Sequence, residues 1–379
     1  VYVNHRQTPK KTKTMIKARQ FTVRDKHLNF PTFMPDGTYG YVRALTGQDL
    51  QAIGLEAMMM NAFHLMQKPG SSIIQALGGL HKMASWPHVL MTDSGGFQAY
   101  SLIRQNSKFG SLTERGITFY PEASKRKLLL TPEKSIQLQM SYGSDILVCL
   151  DDCTHVDASR EEQEQSVELT IAWAKRAKKT FDSLIKSRGF EEHQRPLIFG
   201  VIQGGGEVDL RKKCADALLD IGFDGFGFGG WPLDSESNLL TDILEYTRSL
   251  IPNEYPIHAL GIGHPASIVA AYQIGYEMFD CALPTRDARH GRLYARKSTN
   301  SKLDKDGDWL QFVYINSEQY IRSDEPISPE CDCLTCQHYS MAYLFHLYRQ
   351  RDANYQRLAT MHNLRFMTQL TEELRALHA

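Results

Sequence analysis

Two aspartates stand where apolar runs end. Val89-Leu90-Met91-Thr92 leads into Asp93-Ser94-Gly95-Gly96-Phe97-Gln98, and Met278-Phe279 leads into Asp280-Cys281-Ala282-Leu283-Pro284-Thr285-Arg286. A carboxylate embedded in an apolar strand is costly unless it is paired or used. Two carboxylates flanking a glycosidic carbon can form a covalent glycosyl intermediate and carry a proton to the leaving group. Asp151-Asp152-Cys153 closes another apolar run, Ile146–Leu150. One of these acids, pointing inward, could accept two N–H bonds from a purine edge. Gln203-Gly204-Gly205-Gly206 offers a side-chain amide that can pair with a base edge, and Gly229-Gly230 offers bare backbone amides at a similar height. No Lys-Ser/Thr follows these glycines, so a Walker phosphate loop is excluded. Arg286, Arg289, His290 and Arg292 follow Asp280 at once, which suits contact with a phosphate backbone.

A second kind of chemistry lies further along. Cys331-Asp332-Cys333-Leu334-Thr335-Cys336 places three thiols within six residues. They cannot all pair with one another, but they can converge on one tetrahedral ion. The fourth ligand is to be sought among His338, His346 and His362; spacing favours His346 or His362 without choosing between them. Three thiolates and one imidazole leave no open position, so the expected ion is a structural Zn2+. The seven cysteines are odd in number and clustered, which argues against a disulfide framework.

The elements that must position these groups show as short apolar runs alternating with longer helical patterns. Eight candidate strands are Thr32–Met34, Ala57–Phe63, Val89–Thr92, Ile146–Leu150, Leu197–Gln203, Gly225–Phe228, Ile257–Gly261 and Met278–Cys281. Helices are predicted over Ser159–Arg188, Val208–Ile221, Glu236–Ser249 and Pro265–Tyr276, with Thr131-Pro132 as a helix start. Later helices are predicted over Ser340–Tyr348 and from His362 through Asn363–Leu377. The fold class is α/β, a (β/α)8 barrel; strand count leaves a doubly wound open sheet as the alternative. Asn61, Asp93, Asp151, Gln203, Gly229-Gly230, Gly261 and Asp280 all fall at or just past strand C-terminal ends, where a barrel gathers its catalytic groups. A polar stretch, residues 298–308, separates the barrel domain (1–309) from a zinc-binding unit with C-terminal helices (310–379).

The 379 residues carry 43 basic and 43 acidic side chains, so charge alone announces no nucleic acid, although a local basic patch can serve on a neutral protein. No apolar run approaches the roughly 20 residues of a membrane span. Val1–Arg6 lacks a secretory pattern. A cytoplasmic address without membrane partners is the expectation.

Taken together, these residues resemble the tRNA-guanine transglycosylase family, the queuine/preQ1 tRNA-ribosyltransferases of bacterial type. The resemblance runs from about Phe30 to about Leu370. It rests on Met34-Pro35-x-Gly37-Thr38, Asn61-x-x-His64-Leu65, Trp86-Pro87, Asp93 to Gln98, Leu130-x-Pro132-Glu133-Lys134-Ser135-Ile136, Gly143-Ser144-Asp145-Ile146, Asp151 to Cys153, Gln203-Gly204-Gly205, Phe279 to Arg286 and the cysteine cluster. It implies an irregular barrel with a zinc subdomain. It further implies exchange of guanine at the wobble position of GUN-anticodon tRNAs for a 7-deazaguanine, preQ1 or queuine. Asp280 resembles the nucleophile and Asp93 the general acid/base. Ser94, Phe97, Asp151, Gln203, Gly229, Gly230 and Leu260 resemble the base-binding set, and Arg286 and Arg289 resemble residues beside the anticodon loop. Cys331, Cys333, Cys336 and His362 resemble the zinc ligands, and a homodimer is expected. Retention of both aspartates argues against a non-catalytic tRNA-binding subunit; a DNA-directed enzyme is a further alternative. The chain departs from the pattern at Trp231-Pro232-Leu233-Asp234-Ser235, where bacterial members usually read Leu-Ala-Val-Gly-Glu, and at His258, usually tyrosine.

Overall fold

The computed structural model describes residues 19–377, apart from 99–102, 104–109, 121–126, 156, 235, 237 and 299–301. The described strands are β1 Arg19–Val23, β2 Lys26–Phe30, β3 Thr32–Pro35, β4 Ala57–Asn61, β5 Val89–Asp93, β6 Gly110–Thr113, β7 Gly116–Phe119, β8 Leu128–Leu130, β9 Ile146–Val148, β10 Leu197–Ile202, β11 Gly225–Phe228, β12 Ile257–Ala259, β13 Met278–Cys281, β14 Arg292–Arg296 and β15 Leu310–Tyr314.

Eight of them form one parallel sheet in the order β3-β13-β12-β11-β10-β9-β5-β4. All eight strands expected from the sequence are present, each within a few residues of its predicted ends. The seam between β3 and β4 is joined by a parallel bridge, Asp36 to Met59, and by the Gly37 N–H donating to Met59 O at 2.7 Å. The sheet therefore curls into a barrel, and the open-sheet alternative falls.

Strand alternation divides the apolar residues into two cores. Met59, Val89, Met91, Ile146, Val148, Phe199, Val201 and Met278 fill the interior together with Val23, Leu28 and Phe30 of the β1–β2 hairpin. Met58, Met60, Leu90, Leu147, Ile198, Ile202, Ile257, Ala259 and Phe279 face the surrounding helices. Continuing the interior row by two residues leads from Met59 to Asn61, Met91 to Asp93, Val201 to Gln203 and Met278 to Asp280. The chemistry-bearing side chains thus extend the interior rows at the C-terminal mouth.

Helices flank these strands. Ser159 caps Arg160–Arg188 with a reciprocal box to Glu162, and Thr131 caps Pro132–Tyr142. Two helix expectations need correction. The helix predicted from Glu236 begins at Thr241, because the Asp234 carboxylate accepts from the Glu236 and Asn238 N–H groups and Leu233 bridges Leu239, forming a small turn instead. His362 does not open a helix but lies inside Ala353–Ala376.

That long helix ties the C-terminal elements to the barrel. Arg357 pairs with Asp49 at 2.5 Å, Arg375 with Glu56 at 3.2 Å, and Thr368 donates to Ile53 O at 2.8 Å. No described helix is long and apolar enough to cross a membrane.

Candidate active site and metal centre

The barrel mouth holds a cleft of about 420 Å³, a size suited to a small ligand. Asp93, Ser94, Phe97, Asp151, Gly229, Gly230, Leu260 and Asp280 line it. Gln203 is fully buried behind that wall and reaches it through Asp151, to which its Nε2 donates at 2.6 Å. The expected catalytic and base-binding residues are therefore brought together, although they are scattered over nearly 190 positions of sequence from Asp93 to Asp280.

Each aspartate has its own partners. Asp93 Oδ2 accepts from Asn61 Nδ2 at 2.8 Å and Oδ1 from the Gly95 N–H at 3.1 Å. Asn61 and Asp93 are register partners on adjacent strands, so this bond is set by the barrel itself. Burial, and then the charge of Asp280, push the Asp93 carboxyl up to about 8. Asp280 Oδ1 meets His258 Nε2 at 2.9 Å and accepts from the Gly261 N–H at 3.1 Å.

Burial raises Asp151 to about 6, with the Gln203 hydrogen bond opposing the rise. A side chain at 229 would not be tolerated: a Cβ on Gly229 would come within 2.4 Å of Gln203 Nε2. Gly230 adopts φ +90°, which turns its backbone at the cleft wall. Ser94 Oγ is used internally, accepting from the Gly96 N–H at 3.2 Å.

At the rim the rings of Phe97 and Trp231 meet edge-on, with centroids 5.8 Å apart, and His155 lies 5.4 Å from Trp231. Both Phe97 and Trp231 keep large exposed faces. Trp231 thus brings the divergent loop into the cleft; Ser235, at its end, lies outside the described residues.

Arg286 and Arg289 are not in the cleft. They sit on the helix Leu283–Arg289 that follows β13, with Arg286 exposed. Arg289 lines a neighbouring cavity with Tyr41, Arg43, His290 and Gln356. Burial and the nearby Arg43 and Arg286 charges hold Arg289 below the usual arginine range, and its Nη1 is buried with no hydrogen-bond partner among the described residues.

Asn61 and His258 touch the two aspartates, a role the sequence reading does not give them. Asn61 shows in sequence as a strand-end polar residue and within Asn61-x-x-His64-Leu65, and His258 only as a departure. The available signal was their place on interior rows, two residues past Met59 and two before Leu260.

The metal centre lies at the C-terminal unit. One ligand atom from each of Cys331, Cys333, Cys336 and His362 falls within 4.8 Å of the others, and all four residues are buried. His362 Nδ1 is 3.3 Å from Cys336 Sγ and 3.8 Å from Cys333 Sγ. Tetrahedral zinc with Zn–S bonds of about 2.3 Å and Zn–N bonds of about 2.0 Å sets nitrogen–sulfur separations of about 3.5 Å, which these distances bracket. The His362 Nε2 meets Tyr294 O at 2.7 Å, which leaves Nδ1 to face the thiols. The donor set fits a metal ion. His338 and His346 are both exposed, which removes them as ligands.

A parallel barrel with paired aspartates at its C-terminal mouth has the make-up of a barrel enzyme. The chain belongs to the queuine tRNA-ribosyltransferase family, whose model matches residues 13–377. It is 38% identical over 361 residues to a protein named queuine tRNA-ribosyltransferase from Psychrobacter cryohalolentis, covering 95% of this chain and 89% of that one. A protein of the same name from Actinobacillus pleuropneumoniae is 37% identical over 91% of this chain and 84% of its own length. Another from Caldanaerobacter subterraneus is 36% identical over 95% of this chain and 89% of its own length.

Proposed function

We propose that this protein is a tRNA-guanine transglycosylase that replaces guanine at the wobble position of GUN-anticodon tRNAs with a 7-deazaguanine. The observation that carries the reading is the unlike environment of the two aspartates in one cleft. Asp93 keeps its proton to about pH 8, while Asp280 is held by two N–H donors on one oxygen.

In the first half-reaction, Asp280 Oδ2 attacks C1′ of the ribose. The C1′–N9 bond breaks, its electron pair leaves with guanine, and Asp93 supplies the proton to the departing base. In the second half, Asp93 takes the proton from the incoming base, whose nitrogen attacks C1′ and releases the Asp280 carboxylate. The RNA backbone stays intact.

Asp151 accepts from the base N1–H and 2-amino group. By the family resemblance, Gln203 and Gly230 recognise its carbonyl edge. Phe97 offers a ring for stacking, while Ser94, Gly229 and Leu260 shape the wall. Zn2+ is the ion assigned to Cys331, Cys333, Cys336 and His362; with four protein ligands it braces the C-terminal unit and takes no part in the chemistry. A homodimer belongs to the same proposal and is checked by sedimentation.

The deciding experiment is entry of labelled guanine into tRNA, chased separately with preQ1 and queuine. A duplex DNA competitor that displaces the anticodon stem-loop would point to the DNA-directed alternative.

The pH dependence follows from two groups with opposite requirements. Asp151 must be ionised to accept two N–H bonds, so kcat/KM falls below about pH 6. Asp93 must be protonated to assist departure, so it falls again above about pH 8. An Asp151→Asn variant that kept the acid limb would remove Asp151 as its source.

Arg286 and Arg289 supply the anion-facing side of the same reading, since Arg286 is exposed and Arg289 lines an open cavity with Arg43 and His290. Arg289→Ala is expected to raise KM for tRNA and reduce the slope of log KM against log salt by about one. An unchanged salt slope would mean that Arg289 meets no phosphate.

A further inference from the structure

His258 touches the proposed nucleophile, and its second ring nitrogen fixes how. Ile257 and Ala259 of β12 pack outward, which places His258 on the interior row, in register with Gly227 of β11 and Met278 of β13. Asp280 is one interior step above Met278, within reach of the ring. The imidazole is fully buried. Its Nε2 lies 2.9 Å from Asp280 Oδ1, and its Nδ1 is buried with no hydrogen-bond partner among the described residues. A proton on Nδ1 would bury a donor without an acceptor, which is costly. A proton on Nε2 satisfies both the ring and the carboxylate. The contact is therefore a neutral imidazole donating Nε2–H.

We propose that His258 is a positioning residue for Asp280: as the neutral Nε2–H tautomer it holds Oδ1, together with the Gly261 N–H, and so selects Oδ2 as the oxygen that bonds to C1′. The inference rests on Asp280 being the nucleophile. When the Oδ2–C1′ bond forms, Oδ1 becomes the carbonyl oxygen of the ester and keeps both donors. When the incoming base displaces the carboxylate, the same donors receive the returning charge. A neutral donor serves both states. Phenyl at this position has no donor, whereas tyrosine carries one on a ring and has no second buried nitrogen.

The test compares His258→Phe and His258→Tyr by guanine exchange into an anticodon stem-loop, with Asp280→Ala alongside and melting temperatures measured for all. Loss of one hydrogen bond to a charged group predicts a fall in kcat for His258→Phe of roughly ten- to a hundred-fold with KM for RNA nearly unchanged. His258→Tyr should regain most of that loss. A His258→Phe enzyme within twofold of the parent kcat, or a defect confined to KM, overturns the proposal. So does a His258→Tyr enzyme no faster than His258→Phe while melting like the parent. Should Asp280→Ala retain exchange, it is the nucleophile assignment that fails, whatever the His258 variants do.

Discussion

Asp280→Ala is expected to bind tRNA with near-parental affinity and to exchange no measurable guanine. Removal of a covalent nucleophile costs roughly ten-thousand-fold or more, about 5.4 kcal/mol of barrier at 1.36 kcal/mol per decade. The effect is that large because the covalent bond to C1′ is made by the β13 carboxylate itself, which alanine removes. Affinity is spared because the basic face of Arg286 and Arg289 lies outside the cleft on the following helix. Asp280→Asn is the control for local collapse. Its amide oxygen can still accept from His258 Nε2 and the Gly261 N–H, which meet Oδ1 in the parent at 2.9 and 3.1 Å. Both variants should also fail to leave RNA attached to protein after denaturation. Labelled guanine entering tRNA with Asp280→Ala would move the nucleophile elsewhere.

The second large effect is expected at the metal centre. Structural zinc contributes about 10–16 kcal/mol of apparent binding energy in small domains, comparable to the whole stability of a typical fold. Here the cluster joins the short helix Leu334–His338 to the middle of Ala353–Ala376. Asn363, next to His362, donates to Pro284 O and Arg292 O at 3.0 Å and accepts from the Tyr294 N–H at 3.0 Å. Disturbing His362 therefore disturbs β14 and the helix carrying Arg289. Cys336→Ser or His362→Ala should lower the melting temperature by about 10 °C or more, using about 2–4 °C per kcal/mol. Exchange should fall in step with unfolding rather than through a changed pH profile. Elemental analysis of the parent should return one zinc per chain. A parent without stoichiometric metal, or a Cys336→Ser protein melting with the parent, would refute the assignment.

Much of this molecule is legible along the chain. The eight barrel strands stand out because parallel strands covered on both faces are apolar throughout, so an aspartate or glutamine at their ends is conspicuous. Asp93, Asp151, Gln203 and Asp280 are marked in that way. The three cysteines are marked by spacing, since one turn within six residues can bring their sulfurs to a shared ion.

Other features depend on contacts between distant segments. Barrel closure needs both the pairing of β13 with β3, nearly 250 residues apart in sequence, and the Asp36–Met59 bridge between β3 and β4. His362 rather than His346 meets the thiols because the helices turn His346 to solvent and His362 inward, a matter of packing that spacing cannot encode. The raised proton affinity of Asp93 arises from burial and the nearby Asp280 carboxylate, and the side-chain partners of the two aspartates, Asn61 and His258, each come from a neighbouring strand. Residue types and spacing determined which groups were available and on which interior rows they stood. Only the closed barrel decided which of them touch, because proton affinity and hydrogen-bond partnership are set by neighbours in space rather than in sequence.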